Sequence, residues 1–487
     1  MKKLLYTVMC CCALASCTNL DSERYDAINP DFFPTNEKDA EALVVGGVYA
    51  PFRSAEYSGV FSTAHSFQVI GDMSTDIAVC CWVNDSWIPL TTHNWTPNHS
   101  YTTLNYTDYA KYLGTMTLTL DRISNVEMSD EKKALLMAET HLGRGWLAFL
   151  LYDFYGPIPI PTLEDLKNPL DEVIEPRATQ EEMTNFIETE LTESLKGLPT
   201  RTTQFGRFDK GLAYTILMKY YMHEKNWAKA EECGRELLKA EYGYGLMDRY
   251  ADIFTLENEG NKEIIFACTE ERGTNLQLWH DHALPGNYPT KNASIQKWDG
   301  YKVPWPFYRT FEEGDDRLSV LVGEYVGTDG VLFNEESDIA KHGNLYSGAV
   351  PVKYGEDPGY GSQIDLVVYR YADVLTLLSE AIVRKGNAVT SEALDLLNQV
   401  RVRAKLNPYT MGDVKGVDDF LQKVLDERGH ELWFEGVRRS DLIRHGQFIQ
   451  NARDRGCTTT KDEFVLFPLP QAVINEGKGK IVQNPGY

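Results

Sequence analysis

Residues 207–241, RFDKGLAYTILMKYYMHEKNWAKAEECGRELLKAE, carry two apolar stripes of helical period, separated by the break Lys225-Asn226-Trp227. Leu212, Ala213, Ile216, Leu217, Tyr220 and Tyr221 form the first stripe. Ala228, Ala230, Cys233, Leu237 and Leu238 form the second. Such short helices draw their stability from packing an apolar face, so each needs a neighbour. Two helices in about 34 residues, with small side chains where they cross, have the pattern of a tetratricopeptide hairpin. Residues 370–405 repeat the design, with Gly386 ending one helix and Ser391 capping the next. Weaker copies fall at 106–156 and 179–198. Residues 417–435 add one more helix, with Val417, Phe420, Leu421, Val424, Leu425 and Leu432 on one face. The expected fold is all-α: tetratricopeptide-like helical hairpins with long irregular loop regions.

Those loop regions run from about 57 to 105 and from about 256 to 365, the second with one expected strand at Glu263–Thr269. The helical scaffold takes about 38–56, 106–255 and 366–487. Long segments without regular structure are uncommon in compact domains and are usually functional. Six of the nine tryptophans fall in them: Trp82, Trp87, Trp95, Trp279, Trp298 and Trp305. Tyr101, Tyr106, Tyr288 and Tyr301 add to the set. A sugar ring has an apolar C–H face and a rim of hydroxyls. An indole or phenol ring covers the face, while Asn, Asp and Arg bond the rim. The candidate ligand-binding residues are therefore Trp82, Asn84, Asp85, Trp87, Asn94 and Trp95 in the first region. Trp279, Tyr288, Trp298 and Trp305 are those of the second, although Trp305 lies in VPWPF, where prolines suggest a stiff turn.

The amino terminus, MKKLLYTVMCCCALASC, has a basic start at Lys2 and Lys3, then an apolar stretch from Leu4 to Ala15 too short to span a bilayer. Residues 1–16 read as a signal peptide. Leu14-Ala15-Ser16-Cys17 has the form of a bacterial lipobox, which makes Cys17 the lipidation site. Acyl chains there anchor firmly, at about 0.8 kcal/mol per buried CH₂. Residues 17–37 are polar and suit a tether, leaving 38–487 as the domain. No later segment reaches the roughly 20 apolar residues of a transmembrane helix.

A formal net charge of −23 disfavours nucleic acid, whose binding depends on neutralising phosphates. The chain has no GxxxxGK[ST] loop, HExxH helix or GxSxG elbow. His280-Asp281-His282 reads as a polar turn rather than a metal site, and no cofactor or catalytic residue is expected. Cys80, Cys81, Cys233, Cys268 and Cys457 show no CxxC pair, and their odd number argues against a full disulfide framework. The sequons at Asn84, Asn94, Asn98, Asn105 and Asn292 reflect loops rich in Asn, Ser and Thr. Glu431 and Glu435, four apart, could mimic a glycosidase pair. Arg428, Arg438, Arg439 and Arg444 lie beside them, and such neighbours keep both carboxyls ionised, so they read as a structural ion-pair network.

ERGHELWFEGVRRSDLIRHG (427–446) and the closing VLFPLPQAVINEGKGKIVQNPGY (465–487) resemble the C-terminal signatures of the SusD/RagB family. AETHLGRGWLAFLLYDFYGPIPIP (138–161) and YRYADVLTLLSEA (369–381) are similar to its inner helices. The resemblance implies a non-catalytic, lipid-anchored protein on the outer-membrane surface of Bacteroidetes. It implies that the protein captures a glycan and delivers it to a SusC-like TonB-dependent transporter. A RagB-like peptide binder of the same fold is one alternative. A lipoprotein glycosidase and a tetratricopeptide scaffold for protein alone are others. The matched motifs hold the scaffold, so they name no ligand contact.

Overall fold

The computed structural model describes residues 33–54, 59–171, 173–341 and 343–487; the leader, Cys17 and most of the tether lie outside them. In chain order the elements used below are α1 (Glu37–Val44), α2 (Phe67–Met73), β1 (Val79–Cys80), α3 (Ile88–Thr92), α4 (Ser100–Ser124), α5 (Asp130–Tyr155) and α6 (Gln180–Ser194). Then come α7 (Lys210–His223), α8 (Trp227–Leu237), β2 (Ile264–Cys268), α9 (Trp279–Ala283), β3 (Tyr301–Lys302) and α10 (Trp305–Tyr308). Four short strands follow: β4 (Leu321–Val322), β5 (Glu324–Val326), β6 (Leu332–Asn334) and β7 (Val350–Pro351). The chain closes with β8 (Leu366–Arg370), α11 (Tyr371–Gly386), α12 (Ser391–Arg403), α13 (Val417–Glu431), α14 (Arg438–Arg444) and α15 (Phe448–Asp454).

The fold is all-α. Sequential helices stack, α4 on α5, α5 on α6 and α7 on α8; then α8 meets α11, which packs on α12 and α13. The expected hairpins are α7–α8 and α11–α12, and the weaker copies are α4–α5 and α6. Their boundaries follow side-chain caps. Asp209 starts α7 by accepting from the Leu212 N–H at 3.0 Å, and Asn226 starts α8 through Lys229. Close crossing needs a missing side chain: a Cβ on Gly234 would sit 2.9 Å from Met218 and 3.0 Å from Leu378. That glycine lets α8 touch α7 and α11 together. The cap of α12 is Thr390, not Ser391. Thr390 is extended and its hydroxyl accepts from Ala393 N–H at 3.1 Å, which leaves Ser391 as the first helical residue.

The two regions expected to be irregular contain α2, α3, α9, α10 and most of the strands. All strands among the described residues pair two by two and antiparallel: β1–β3, β2–β8, β4–β7 and β5–β6. The β2 strand lies within the expected Glu263–Thr269, and its partner β8 enters directly into α11; every residue of both strands is buried. The five cysteines of the described chain are free.

The signature 427–446 builds a charged interior. Glu431 accepts from Arg370, Arg403 and Arg317, and Glu435 accepts from Arg370 and Lys353. Arg370, Arg317 and Glu431 have no solvent exposure. The partners come from distant segments. The local arginines are engaged elsewhere: Arg428 with Asp373 and Asp441, Arg438 with Asp76, Arg439 with Asp153, and Arg444 with Glu380. The helix ends at Glu431, so the two carboxylates do not share a helical face. The C-terminal QNPGY closes the same core, as Asn484 Nδ2 donates to the carbonyls of Tyr155 (2.9 Å) and Phe467 (2.7 Å).

Candidate functional site: a row of rings beside a two-stranded ribbon

The site is built on the ribbon β1–β3, which joins the two loop regions. Val79 pairs with Lys302 and Cys80 with Tyr301, and the Cys81 N–H donates to the Gly300 carbonyl at 2.7 Å. The next residue, Trp82, is thereby set down on the chain at 298–300. Its Nε1 donates to the Trp298 carbonyl at 3.1 Å. Gly300 permits this approach, since a Cβ there would stand 2.8 Å from the Trp82 ring. Trp298 is fixed in turn by its own N–H, which donates to the Asp281 carbonyl at 2.6 Å.

Three rings result, in sequence across the surface. The Trp82 and Trp298 centroids lie 6.4 Å apart, tilted by 55°. Trp298 and Tyr360 lie 6.1 Å apart, tilted by 53°. Trp82 and Trp298 are half-buried, and Tyr360 is 54% exposed. Asp281, itself buried, positions Tyr360 by accepting the Gly361 N–H at 3.2 Å. Arg272 braces the same turn through Asp357 at 2.5 Å. Asn84, Asp85 and Gln296 supply exposed polar groups on the segments that carry the tryptophans.

Beneath the row lies a sealed aromatic layer. His282 stacks on Tyr301 at 4.9 Å and meets Trp298 edge-on at 5.2 Å. Burial pushes its imidazole down to about 4, so the ring is neutral at pH 7 and acts as a flat support. His280 is buried as well, with Nε2 3.1 Å from the Tyr354 carbonyl. The expected polar turn at 280–282 is thus the buried helix α9. No group of three metal-ligating side chains occurs among the described residues.

Four of the expected ligand contacts belong to the core. Trp87, Trp95, Trp279 and Trp305 are each 5% exposed or less. Trp95 donates to the Tyr487 hydroxyl at 2.6 Å, Trp279 to the Pro351 carbonyl at 2.9 Å and Trp305 to the Leu345 carbonyl at 2.8 Å. Trp87 packs edge-on against Tyr101 at 4.9 Å and Tyr301 at 5.6 Å. An indole with its N–H satisfied inside and its faces covered is a packing residue. Asn84 is exposed, yet its Oδ1 accepts from the N–H groups of Ser86 and Trp87 and so holds the turn before α3. Tyr288 is half-buried against Tyr325 at 5.0 Å. Asn94 faces a different cleft, with Thr91 and Arg455. Tyr360 lies outside the expected set. Its one signal is the triplet Gly359-Tyr360-Gly361, whose glycines take φ of 100° and 63° and so lift the ring out on a tight turn.

Comparison with known proteins gives the same fold. The starch-binding protein SusD of Bacteroides thetaiotaomicron is 24% identical over 88% of this chain and 86% of its own length. The SusD-like protein P38 of Formosa agariphila is 22% identical over 74% of this chain and 76% of its own. A SusD superfamily crystal structure from Bacteroides vulgatus superposes with a TM-score of 0.77 at 20% identity, covering 93% of this chain and all of that one. Surface glycan-binding protein A of Bacteroides thetaiotaomicron, solved with laminarihexaose, gives 0.75 at 20% identity, over 92% of this chain and 100% of that one. Residues 298–487 match the SusD family, and residues 31–222 match the family described as starch-binding and associating with the outer membrane. With the helical architecture and the C-terminal signature, these matches place the chain in the SusD/RagB family.

Proposed function

We propose that the protein is a non-catalytic glycan-binding lipoprotein of the outer-membrane surface. It captures oligo- or polysaccharide on the ring row Trp82–Trp298–Tyr360 and delivers it to a SusC-like TonB-dependent transporter. The observation that carries this reading is the row itself: three aromatic groups about 6 Å apart, held open at the surface by a ribbon and a sealed layer below. Successive C–H faces of a sugar chain can lie on such rings, with Asn84, Asp85, Gln296 and Arg272 nearby for its hydroxyls. The names of two relatives support the ligand class, one as starch-binding and one solved with laminarihexaose. Glu431 and Glu435, the pair that most resembled a glycosidase site, are locked in buried ion pairs, which supports a binding role without catalysis. No described helix is long and apolar enough to cross a membrane, and anchoring is assigned to the lipid on Cys17.

The test is calorimetric titration of the full detergent-solubilised chain with a polysaccharide panel that includes starch and laminarin. Binding that weakens in Trp82→Ala and Trp298→Ala supports the assignment; binding that survives both substitutions intact removes it. Release of shortened products over hours would replace capture with hydrolysis. Recovery of a TonB-dependent barrel with the tagged chain from outer membranes tests the delivery step.

A further inference from the structure

A second groove starts at the other end of the ribbon. Two adjoining cavities, of 580 Å³ and 400 Å³, share Asp76 as a common lining residue. One wall is the segment around α10: Pro304 and Pro306 line the first cavity, Phe307 and Thr310 the second. The opposite wall is α15 and the turn after it, with Asn451 on the second cavity and Arg455–Thr459 on the first. Asn94, Thr91 and Val79 complete the near end, and Tyr409, Gln422 and His430 the far end. Val79 stands three residues before Trp82, about 10 Å of extended chain. One ribbon therefore carries the ring row at one end and this groove at the other.

The chemistry of the groove is that of a site for a neutral, hydroxyl-rich chain. Its central charges are matched: Asp76 with Arg438 at 2.8 Å, and Arg401 with Glu312 at 2.6 Å and Glu427 at 3.4 Å. A neutral ligand leaves these pairs intact. Beside these pairs the lining offers the Arg455 guanidinium, which already donates to the Thr91 and Ser74 carbonyls, the Asp426 carboxylate, which accepts from Gln422, and hydroxyls and amides, which bond alcohols in either direction. Thr92 and Thr459 donate to backbone carbonyls, at 2.8 Å and 3.0 Å, and so present their oxygens as acceptors. Asn94 is exposed and offers both an amide donor and an acceptor. Pro304 and Pro306 give the apolar patches on which C–H faces can rest. A peptide added as a strand is recognised through rows of backbone N–H and C=O groups, whereas side chains line this groove.

We propose that this groove is a second saccharide-binding site, separate from the ring row, which takes a further stretch of neutral polysaccharide. The proposal extends the glycan-binding reading above and shares its ligand class. Its test titrates the full detergent-solubilised chain with neutral oligosaccharides of increasing length. The forms compared are the unsubstituted chain, Trp298→Ala, Thr458→Trp and the double variant. Thr458 is exposed on the groove wall, so an indole there blocks the cleft without entering the core, and unchanged thermal midpoints check the fold. Trp298→Ala is expected to retain a weaker binding event, and adding Thr458→Trp is expected to lower that remaining affinity tenfold or more. Asn94→Ala lowers it in the same direction by less. Loss of all binding in Trp298→Ala alone overturns the groove and leaves the ring row standing. Thr458→Trp without effect overturns it too. Binding of oligopeptides that Thr458→Trp abolishes overturns the saccharide assignment. Failure of the unsubstituted chain to bind any neutral oligosaccharide overturns both the groove and the function proposed above.

Discussion

The segments 427–444 and 279–301 both gather side chains from distant parts of the chain, but they treat solvent in opposite ways. In the first, Glu431, Arg370 and Arg317 are fully sealed and each charge is answered by another. In the second, a buried layer of Trp279, His282 and Tyr301 carries a partly open layer of Trp82 and Trp298. The first arrangement is closed to solvent; the second leaves ring faces open to it. The family-like signature thus marks what holds the protein together, and the loop regions carry the rings left partly open.

The largest expected effect is on the sealed side. Glu431→Gln leaves Arg370, Arg403 and Arg317 short of a buried anion, and such losses cost about 3–5 kcal/mol. Urea denaturation measures this, and the saccharide affinity of the folded fraction stays unchanged. The pH dependence has a definite sign. Burial alone would raise the Glu431 carboxyl, but the guanidinium groups of Arg403, Arg370 and Arg317 outweigh it and hold it below its ordinary 4.5. A lowered acid binds fewer protons folded than unfolded, so its contribution is full above about 4.5 and fades as pH falls through the lower folded value. The stabilities of the unsubstituted chain and Glu431→Gln should therefore converge on acidification. Equal stability of the two at pH 7 would mean that the network carries no load.

Next is a pair of identical truncations in the two aromatic layers. Trp279→Ala should cost about 3 kcal/mol of stability, because it empties a sealed site. Saccharide affinity of the folded protein should change less. Trp298→Ala should lower affinity by about 2 kcal/mol, roughly thirtyfold, while the thermal midpoint moves little. If the two variants behave alike in both assays, the division into layers fails.

How far the sequence reveals this division depends on the range of the interactions. The hairpins α7–α8 and α11–α12 are legible because helical period and caps such as Asp209 and Asn226 act within a few residues. That Glu431 and Glu435 sit in an ion-pair network is legible too, from the density of charge in 427–446. Their true partners are not, because Arg370 and Lys353 arrive from far along the chain. Sorting the tryptophans fails for the same reason. Trp95 is sealed by Tyr487, the last residue, and Trp82 is placed by Gly300. Nothing near either indole tells which one keeps a face open.

Gly300 allows a finer cut within the open layer. A Cβ at Gly300 would press on the Trp82 ring at 2.8 Å and on the His282 carbonyl at 3.0 Å. Gly300→Ala should tilt Trp82 away from Trp298 at a cost of about 1–2 kcal/mol in stability. Saccharide affinity should fall with Trp82 still present, so a ring out of place would behave like a ring removed. Unaltered affinity would mean that Trp82 works alone, without the row.

The smallest effect is expected at Tyr360. It is the most open of the three rings and stands at the end of the row, on a turn set by Gly359, Gly361 and the carboxylate of Asp281. A ring with one neighbour in the row covers less of a bound sugar than Trp298, which has two. Tyr360→Ala should lower affinity by about 1 kcal/mol, roughly fivefold, and leave stability unchanged. Tyr360→Phe keeps the ring and so should restore most of that loss, unless the hydroxyl itself bonds the ligand. The same oligosaccharide titration reads both variants. If Tyr360→Ala weakened binding more than Trp298→Ala, the centre of the site would lie toward Arg272 and Asp357, and the ribbon β1–β3 would be only its edge.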